Sequence, residues 1–306
     1  MIYTCTTNPS LDHYLKLNKN LDVGEVNRVS DDHFITGGKG VNVSIELNNL
    51  MIPSVATGFL GGFVKDYYLE RLSIYHYIQS RFVTIAGNTR INLKLNTGIE
   101  TVINTKGPDI RPEEFVKLYK RLDKVDTGDY FILSGNVQSE IASDMKDIIH
   151  ELSSRGVKIL LDTNHDLIRD CLECRPYLIK PNVAELEDIC GHIITDEASI
   201  IKASRSVIEK GAQNILVSVG KDGAYLINDS EVYCHRGLEG KVVSTTGCGD
   251  AMVAGYVFNL QRGADSLEAF SYACAAGTAT AFTEGMATRE DIEAILEEIV
   301  IERLDV

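Results

Sequence analysis

The feature that most constrains the fold is a regular alternation of apolar segments in the middle of the chain. Between residues 112 and 219, short apolar runs of strand length alternate with segments whose apolar residues recur every three or four positions. Strands that alternate with crossover helices form a mainly parallel sheet with helices on both faces. The pattern therefore predicts an α/β fold, with ligands bound at the carboxyl ends of the strands.

The flanking regions are expected to complete one domain over residues 1–306. Segments of approximately 10–36 and 88–105 are polar, with fragments of period two, which predicts a small β-sheet lid inserted into the domain. The other predicted elements are a hairpin over 223–244 and closing helices over 250–262, 266–283 and 288–303.

Composition and charge exclude several classes of partner. The chain has 306 residues, of which 44% are hydrophobic, and a formal net charge of −14, so nucleic acid and anionic membranes would repel it. Any bound phosphate must be held by local cations. The first residues lack a signal-peptide pattern and no apolar run approaches bilayer length, so a cytoplasmic location is expected.

The seven cysteines are expected to be reduced, since most lie in apolar surroundings and an odd number cannot all pair. Cys171 and Cys174 form one close pair. Zinc would need two further ligands at matching spacing, and the sequence offers no second pair, so no metal is expected there.

A small-residue loop, Thr245 to Asp250, runs into an apolar segment of helical length. Gly247 and Gly249 lack a Cβ, so the backbone N–H groups can turn inward, and the helix that follows adds the positive end of its dipole. The two features together predict an anion site. The dipole is expected to keep Asp250 ionised, so that it can act as a base beside a transferring phosphoryl group. The same residues also fit an ordinary glycine loop with a capping aspartate.

Two better-known phosphate motifs are absent. A P-loop read around Lys39 would have His33 in place of its first glycine and Gly40 in place of Ser or Thr. A dinucleotide motif starting at Gly247 would need a glycine where Met252 stands. The loop therefore indicates phosphate without a nicotinamide cofactor.

Cationic residues occur at two further places. Arg90, Asn92 and Lys94 alternate with apolar residues, so they share one face of a strand, which is either an anion site or a solvated face. Lys39 follows Gly38 at a predicted helix start, where the dipole disfavours a cation and an anionic neighbour is expected.

Three other segments each allow two interpretations. Asp12 follows the first strand and could accept hydrogen bonds from sugar hydroxyls or cap a turn. Asn182 and Glu185 share one face of a helix start and could hold hydrated Mg²⁺ or form a capping box. Residues 218–223 form a glycine turn after a strand, which suits a nucleotide or a simple hairpin.

Six segments, in this order along nearly the whole chain, resemble the ribokinase-like (PfkB) carbohydrate kinase family. They are Asn8-Pro9-Ser10-Leu11-Asp12, Gly37-Gly38-Lys39-Gly40-Val41-Asn42, Thr89-Arg90-Ile91-Asn92-Leu93-Lys94, Lys180-Pro181-Asn182-Val183-Ala184-Glu185, Ser218-Val219-Gly220 and Thr246-Gly247-Cys248-Gly249-Asp250. The resemblance implies a ribokinase-like three-layer α/β/α sandwich with a mainly parallel central sheet and a small β-sheet lid. It also implies that ATP and Mg²⁺ are used.

The resemblance assigns roles to individual residues. Asp250 would be the catalytic base, and the amides of Gly247, Cys248 and Gly249 would form the anion hole. The implied substrate contacts are Asp12, Gly38, Lys39, Asn42, Arg90, Asn92, Lys94 and Asp250, with Arg90 and Lys94 holding the phosphate already on the substrate. The implied nucleotide contacts are Lys180, Ser218, Gly220, Lys221, Gly223 and Gly249, and the residues near Mg²⁺ are Asn182 and Glu185.

The implied reaction is ATP-dependent phosphorylation of fructose 1-phosphate to fructose 1,6-bisphosphate, with ADP released. The pattern after Arg90 favours this acceptor, and a tagatose-6-phosphate kinase is the alternative enzyme. A sugar-phosphate-binding sensor without catalysis is a further alternative. A nucleoside kinase is disfavoured, because its neutral acceptor would offer Arg90 and Lys94 no anion to bind. Small molecules are the expected partners, and exposed strand edges of a lid allow a homodimer through it.

Two segments depart from the family pattern. Cys248 stands where alanine is usual, and a thiol near phosphates predicts sensitivity to oxidation. Ser134-Gly135-Asn136-Val137-Gln138 replaces the expected Ser-Gly-Ser-Leu-Pro, which leaves the identity of the sugar open.

Overall fold

A computed structural model of the chain describes residues 1–97 and 99–304. In chain order, the strands are β1 (Ile2–Thr6), β2 (Ser10–Leu17), β3 (Val29–Gly37), β4 (Ser54–Gly61), β5 (Ile78–Ser80), β6 (Val83–Ile85), β7 (Arg90–Asn96), β8 (Glu100–Ile103), β9 (Tyr130–Ser134), β10 (Lys158–Asp162), β11 (Leu178–Ile179), β12 (Asn214–Ser218), β13 (Ala224–Asn228), β14 (Val232–His235) and β15 (Glu302–Arg303). The helices are α1 (Lys39–Asn49), α2 (Val64–Leu72), α3 (Pro112–Arg121), α4 (Ser139–Ser154), α5 (His165–Cys171), α6 (Val183–Cys190), α7 (Glu197–Ile208), α8 (Cys248–Gln261), α9 (Ser266–Phe282) and α10 (Arg289–Ile295).

The central sheet has the strand order β15-β14-β13-β12-β11-β10-β9-β1-β4-β5, and β6 also pairs with β4. Its strands from β5 across to β12 pair in parallel, and β12 to β15 pair antiparallel. The sheet is therefore mainly parallel, as the alternation between residues 112 and 219 predicts. The carboxyl ends of β1, β10, β11 and β12 lie along one edge of it.

Successive side chains of β1 enter different cores on the two faces of the central sheet, which makes three layers. Tyr3 and Cys5 of β1 pack with the core formed under α3 to α7, whereas Ile2 packs with the core under α1, α8, α9 and α10. This division follows from the period of two in a strand, which sends successive side chains to opposite faces. The predicted α/β/α sandwich is confirmed.

A second, small sheet has the order β3-β2-β7-β8, with β2 antiparallel to β3 and parallel to β7. Its strands lie in the two segments that were expected to form a lid, except that β3 extends one residue beyond position 36. The register places Asp12 opposite Asn92 and Tyr14 opposite Lys94. One face of this sheet therefore carries the polar residues that the sequence assigned to the substrate.

The structure differs from the predicted elements at three places. The hairpin over 223–244 is wrong beyond His235, because in the described chain residues 236–245 form neither helix nor strand. A Cβ on Gly237 would lie 2.2 Å from the carbonyl oxygen of Lys221, so the chain crosses closely over that turn instead of extending the ladder. Strand β5 was not predicted.

The predicted last helix, 288–303, is also wrong at its end. Helix α10 ends at Ile295, a 3-10 turn covers Leu296–Glu298, and the chain then pairs with the open edge of β14, with Arg303 opposite Tyr233. An unpaired strand edge recruits extended chain, and this pairing overrides the helical spacing of the apolar residues.

The expected reduced thiols are confirmed: within residues 1–97 and 99–304 all seven cysteines are free, and all but Cys248 are buried. No helix in the described part of the chain has the length and apolar character needed to cross a bilayer.

Candidate functional site

The loop before α8 has the conformation of an anion site. Gly247 has φ +86° and immediately precedes the helix, and a Cβ there would lie 2.7 Å from the Sδ of Met286. A Cβ on Gly249 would lie 2.9 Å from the Nζ of Lys180. The absence of both Cβ atoms leaves the loop amides open, and it allows the Lys180 ammonium to pack against the loop.

Asp250 lies in the first turn of α8 and is 4% exposed. The Nδ2 of Asn42, on α1, donates a hydrogen bond of 2.8 Å to its Oδ2. The structure thus brings together the residue that the sequence assigned to proton transfer and one assigned to the acceptor sugar.

The expectation that the helix dipole keeps Asp250 ionised at neutral pH is wrong. Burial raises the pKa of Asp250, and the negative charge of Asp162 raises it further. The hydrogen bond from Asn42 and the charges of Lys39 and Lys180 oppose this rise without cancelling it. A carboxylate with a raised pKa binds a proton more strongly, so Asp250 is a better base once it is ionised.

Asp162 is a site residue that the sequence analysis missed. It ends β10 and is 3% exposed. The Nζ of Lys39 lies 3.1 Å from its Oδ1, and the Nζ of Lys180 lies 3.5 Å from its Oδ2. The available signal was an acidic residue at the carboxyl end of a buried strand, where α/β proteins bind ligands.

Lys39 has the anionic neighbour that its position at a helix start led us to expect. Although burial opposes its charge, the carboxylates of Asp162, Asp250 and Glu185 raise the pKa of Lys39. Gly38, just before it, has φ +133°, and a Cβ there would lie 2.8 Å from the Cγ2 of Thr6. Only glycine allows the chain to enter α1 this close to β1.

Asp12, Asn92 and Arg90 meet where the small sheet joins the central one. The Oδ1 of Asp12 accepts hydrogen bonds from the Oγ of Ser10 at 2.7 Å and from the Nδ2 of Asn92 at 2.8 Å. The Arg90 guanidinium donates to main-chain carbonyl oxygens, at 3.2 Å to Thr105 and at 3.1 Å to residue 8. Arg90 thus links two separate segments of the chain by hydrogen bonds. Its binding of phosphate stays a prediction.

A cavity of about 850 Å³ lies between the small sheet and the loop before α8. Its lining includes Lys94 and His33 from the small sheet, Asn42 from α1, and Thr246 and Gly247 from the loop. Arg90, Asn92 and Lys94 share one face of β7, and of these three Lys94 is the one among the described residues that line the cavity. The cavity is large enough for a sugar phosphate.

The segment predicted to bind nucleotide forms a tight turn after β12. Gly220 has φ +59° and Gly223 has φ +97°, and a Cβ on Gly223 would lie 1.9 Å from the carbonyl oxygen of His235. The backbone N–H of Ser218 donates to the carbonyl of residue 181 at 3.1 Å, which places the turn beside Asn182. Lys221 is exposed on this turn.

Asn182 and Glu185 form the capping box that was the alternative interpretation. The Oδ1 of Asn182 accepts from the N–H of Glu185 at 2.9 Å, and the Oε2 of Glu185 accepts from the N–H of Asn182 at 2.8 Å. These bonds leave the second carboxylate oxygen of Glu185 for a ligand. The negative charge of Glu185 also raises the pKa of Lys39. Amide and carboxylate oxygens at this place fit a hydrated Mg²⁺.

The two departures from the family pattern both lie at the site. The Sγ of Cys248 donates to the carbonyl of Ser244 at 3.7 Å, and burial raises its pKa to about 11. The main-chain carbonyl of Asn136 accepts from the Oγ1 of Thr7 at 3.1 Å. A Cβ on Gly135 would lie 3.8 Å from the Cβ of Lys39, so this segment borders the lysine.

The chain is similar to a known family of proteins along most of its length. The family model described as pfkB family carbohydrate kinase matches residues 6–293. The chain is 37% identical to a 1-phosphofructokinase of Borreliella burgdorferi over 305 residues, which cover 99% of this chain and 98% of that one. It is 34% identical to a D-tagatose-1-phosphate kinase of Bacillus licheniformis over 307 residues, which cover 99% and 100% of the two chains.

A solved structure supports the fold independently. Phosphofructokinase-2 from Escherichia coli, in complex with substrates and products, aligns with a TM-score of 0.92 at 23% identity, covering 97% of this chain and 99% of that one. At this identity the likeness concerns the fold alone. With the family match over most of its length, the chain belongs to the pfkB family of carbohydrate kinases.

Proposed function

We propose that this chain is an ATP-dependent kinase that converts fructose 1-phosphate to fructose 1,6-bisphosphate. The observation that carries the proposal is the buried Asp250 carboxylate, hydrogen-bonded to Asn42 beside the glycine loop and close to a cavity that contains Lys94. The relative named 1-phosphofructokinase supports the choice of acceptor.

In the proposed mechanism, the sugar's 6-hydroxyl lies against Asp250, gives its proton to that carboxylate and attacks the γ-phosphorus in line. The bond from the γ-phosphorus to the β–γ bridging oxygen breaks, and its electron pair leaves with ADP. Asn42 orients the carboxylate through its 2.8 Å hydrogen bond. The amides of Gly247, Cys248 and Gly249 face the charge that develops on the phosphoryl oxygens. Lys94 holds the phosphate already present at carbon 1 of the sugar.

ATP is proposed to bind along the turn of residues 218–223, with its phosphates directed toward Lys180 and Gly249. Asn182 and Glu185 would hold the Mg²⁺ ion. When bound, Mg²⁺ would supply positive charge that offsets part of the negative charge of the phosphates.

We also propose that the small sheet acts as a lid within one domain and that two copies of the chain pair through it. Its outer strand β8 exposes Val102 and Ile103, which are 41% and 48% accessible. Exposed apolar side chains on an edge strand favour pairing with another copy. Light scattering coupled to size exclusion tests this pairing, and Ile103→Lys should give a monomer; a wild-type monomer would contradict it.

The test of the function is a coupled ADP-release assay over a panel of acceptors. We expect the highest kcat/KM with fructose 1-phosphate, and lower values with tagatose 6-phosphate and fructose 6-phosphate. Binding of these sugars without ADP release would instead indicate a sugar-phosphate sensor.

A second candidate acceptor is tagatose 1-phosphate, because the relative from Bacillus licheniformis carries that name. Both sugars offer a phosphate at carbon 1 and a hydroxyl at carbon 6, so Lys94 and Asp250 would act on them alike. The two sugars differ in configuration at carbon 4. A higher kcat/KM with tagatose 1-phosphate would replace our first choice.

A further inference from the structure

We propose that Asp162 is a positioning residue that holds the side chains of Lys39 and Lys180 at the phosphoryl-transfer site, beside the loop that carries Asp250. The kinetic part of this inference rests on the proposed function. Its structural part concerns the charges of the cluster and can be tested without any substrate.

The geometry places Asp162 between two ammonium groups from different parts of the chain. Lys39 begins α1 and lies 3.1 Å from one carboxylate oxygen, while Lys180 follows β11 and lies 3.5 Å from the other. Asp162 and Lys180 are 3% and 6% exposed at their side chains, whereas Lys39 is 44% exposed. The buried carboxylate therefore fixes both lysine side chains at the carboxyl edge of the sheet.

Both lysines adjoin the residues assigned to phosphate and proton transfer. A Cβ on Gly249 would lie 2.9 Å from the Nζ of Lys180. The Lys180 ammonium group therefore borders the proposed anion hole. Lys39 lies close enough to Asp250 for each charge to shift the pKa of the other. Without Asp162, the two ammonium groups would repel each other and lose their common counter-ion.

The charged and hydrogen-bonding groups that face Asp250 come from each surrounding element. They are Lys39 and Asn42 from α1, Asp162 from β10, Lys180 after β11, and Cys248 from its own helix. Asp162 is the anion in this set, and it disfavours ionisation of Asp250. Lys39 and Lys180 favour ionisation, so removal of Asp162 and removal of either lysine should act in opposite directions.

The first test uses stability and needs no activity. Asp250 has a raised pKa in the folded state, so its contribution to the free energy of unfolding is present at low pH and is lost as pH rises through that pKa. Urea unfolding from about pH 5 to about pH 8 gives this contribution as the difference between wild type and Asp250→Asn. In an Asp162→Asn background the loss should be smaller and should end at lower pH, because the folded-state pKa of Asp250 is then raised less.

The second test uses the pH dependence of kcat/KM, with the acceptor that the substrate panel selects. Asp162→Asn should move the ascending limb to lower pH and raise KM for ATP about tenfold, as expected from loss of a buried charged contact. Lys39→Met should move the same limb to higher pH. A residue with a purely structural role would lower the amount of active enzyme without moving the limb.

Asp129→Asn is the matched control. Its carboxylate also pairs with an ammonium group, that of Met1, at 2.6 Å. Asp129 precedes β9, so it lies at the amino ends of the strands, away from Asp162. We expect it to leave both pH profiles unchanged. Since Lys39 is the more exposed partner, Lys39→Met also remains measurable if Asp162→Asn does not fold.

The outcomes separate the two proposals. Unchanged unfolding differences and an unmoved limb in Asp162→Asn would overturn the role of Asp162, and so would an unmoved limb in Lys39→Met. A wild-type chain that is inactive on every acceptor would overturn the proposed function, while the unfolding cycle would still decide whether Asp162 acts on Asp250.

Discussion

Asn42 and Asp250 are 208 residues apart in the chain and are joined by a hydrogen bond of 2.8 Å between the Asn42 Nδ2 and the Asp250 Oδ2. The bond links the first turn of α1 to the first turn of α8. Two helices that start at the same edge of the sheet thus fix one carboxylate. Its position depends on the packing of both helices, and its protonation depends on the charges around them.

Replacement of Asn42 by alanine should impair the base. Because this hydrogen bond lowers the pKa of Asp250, its loss should raise that pKa and move the ascending limb of kcat/KM to higher pH. A hydrogen bond to a charged group contributes about 1.5–3 kcal/mol, so kcat/KM near neutral pH should fall at least tenfold. Asn48→Ala, on the same helix, is the control. An unmoved limb would contradict the assignment.

Asp250→Asn should bind both substrates with nearly wild-type affinity but turn them over slowly. The amide keeps the shape of the carboxylate and cannot take the proton, and a positioned base contributes about 10²–10⁴-fold. Calorimetry measures the binding, and ADP release measures kcat. Turnover close to wild type would remove Asp250 from the role of base.

Lys94→Met should weaken binding of the sugar phosphate and leave kcat nearly intact. Lys94 lines the cavity as a point charge, and loss of a partner for a phosphate should raise KM for fructose 1-phosphate about 10- to 100-fold. KM for ATP should not change. Lys19→Met, which removes an exposed cation paired with Asp22, is the control. An equal rise in both KM values would contradict a specific contact with the sugar phosphate.

Glu46 should make the stability of the protein depend on pH. It is completely buried in α1, and within residues 1–97 and 99–304 neither of its carboxylate oxygens accepts a hydrogen bond. Burial raises the pKa of Glu46 to about 8. Its raised folded pKa means that stability is present below the ordinary glutamate pKa and is lost as pH rises toward about 8.

Replacement of Glu46 by glutamine should therefore remove this loss. At pH values above the raised pKa, Glu46→Gln should be more stable than wild type by a few kcal/mol, on the order of what a pKa shift of this size implies. Urea unfolding at several pH values measures the effect. Glu70→Gln, on α2, should leave the pH dependence unchanged. A wild-type stability that stays constant from about pH 5 to about pH 8 would contradict the prediction.

The layers of the fold and most of the segments at the site could be predicted from the sequence. The alternation between residues 112 and 219 determines a parallel sheet, and the glycines around Lys39 and Asp250 mark the helix starts at its edge. These features are local, since each depends on residues close together in the chain. The parallel sheet and the helix starts could therefore be predicted before any tertiary contact was known.

Properties that depend on strand order could not be predicted. Asp162 looks like any strand-end carboxylate until β10 is placed beside β11, which brings Lys180 to it. The pKa of Asp250 depends on its burial and on that neighbour, and both raise it. The short strand β15 likewise depends on a free edge of β14, more than sixty residues earlier in the chain.

The thiol of Cys248 has a consequence for reagents directed at this enzyme. Burial raises its pKa to about 11, so little of the thiol is ionised to the reactive thiolate at neutral pH. Hydrogen peroxide and electrophilic warheads such as iodoacetamide should therefore modify it slowly, in contrast to the oxidation sensitivity expected from its place in the loop. Covalent inhibitors aimed at this cysteine should react slowly, and reversible ligands of the cavity are the better starting point.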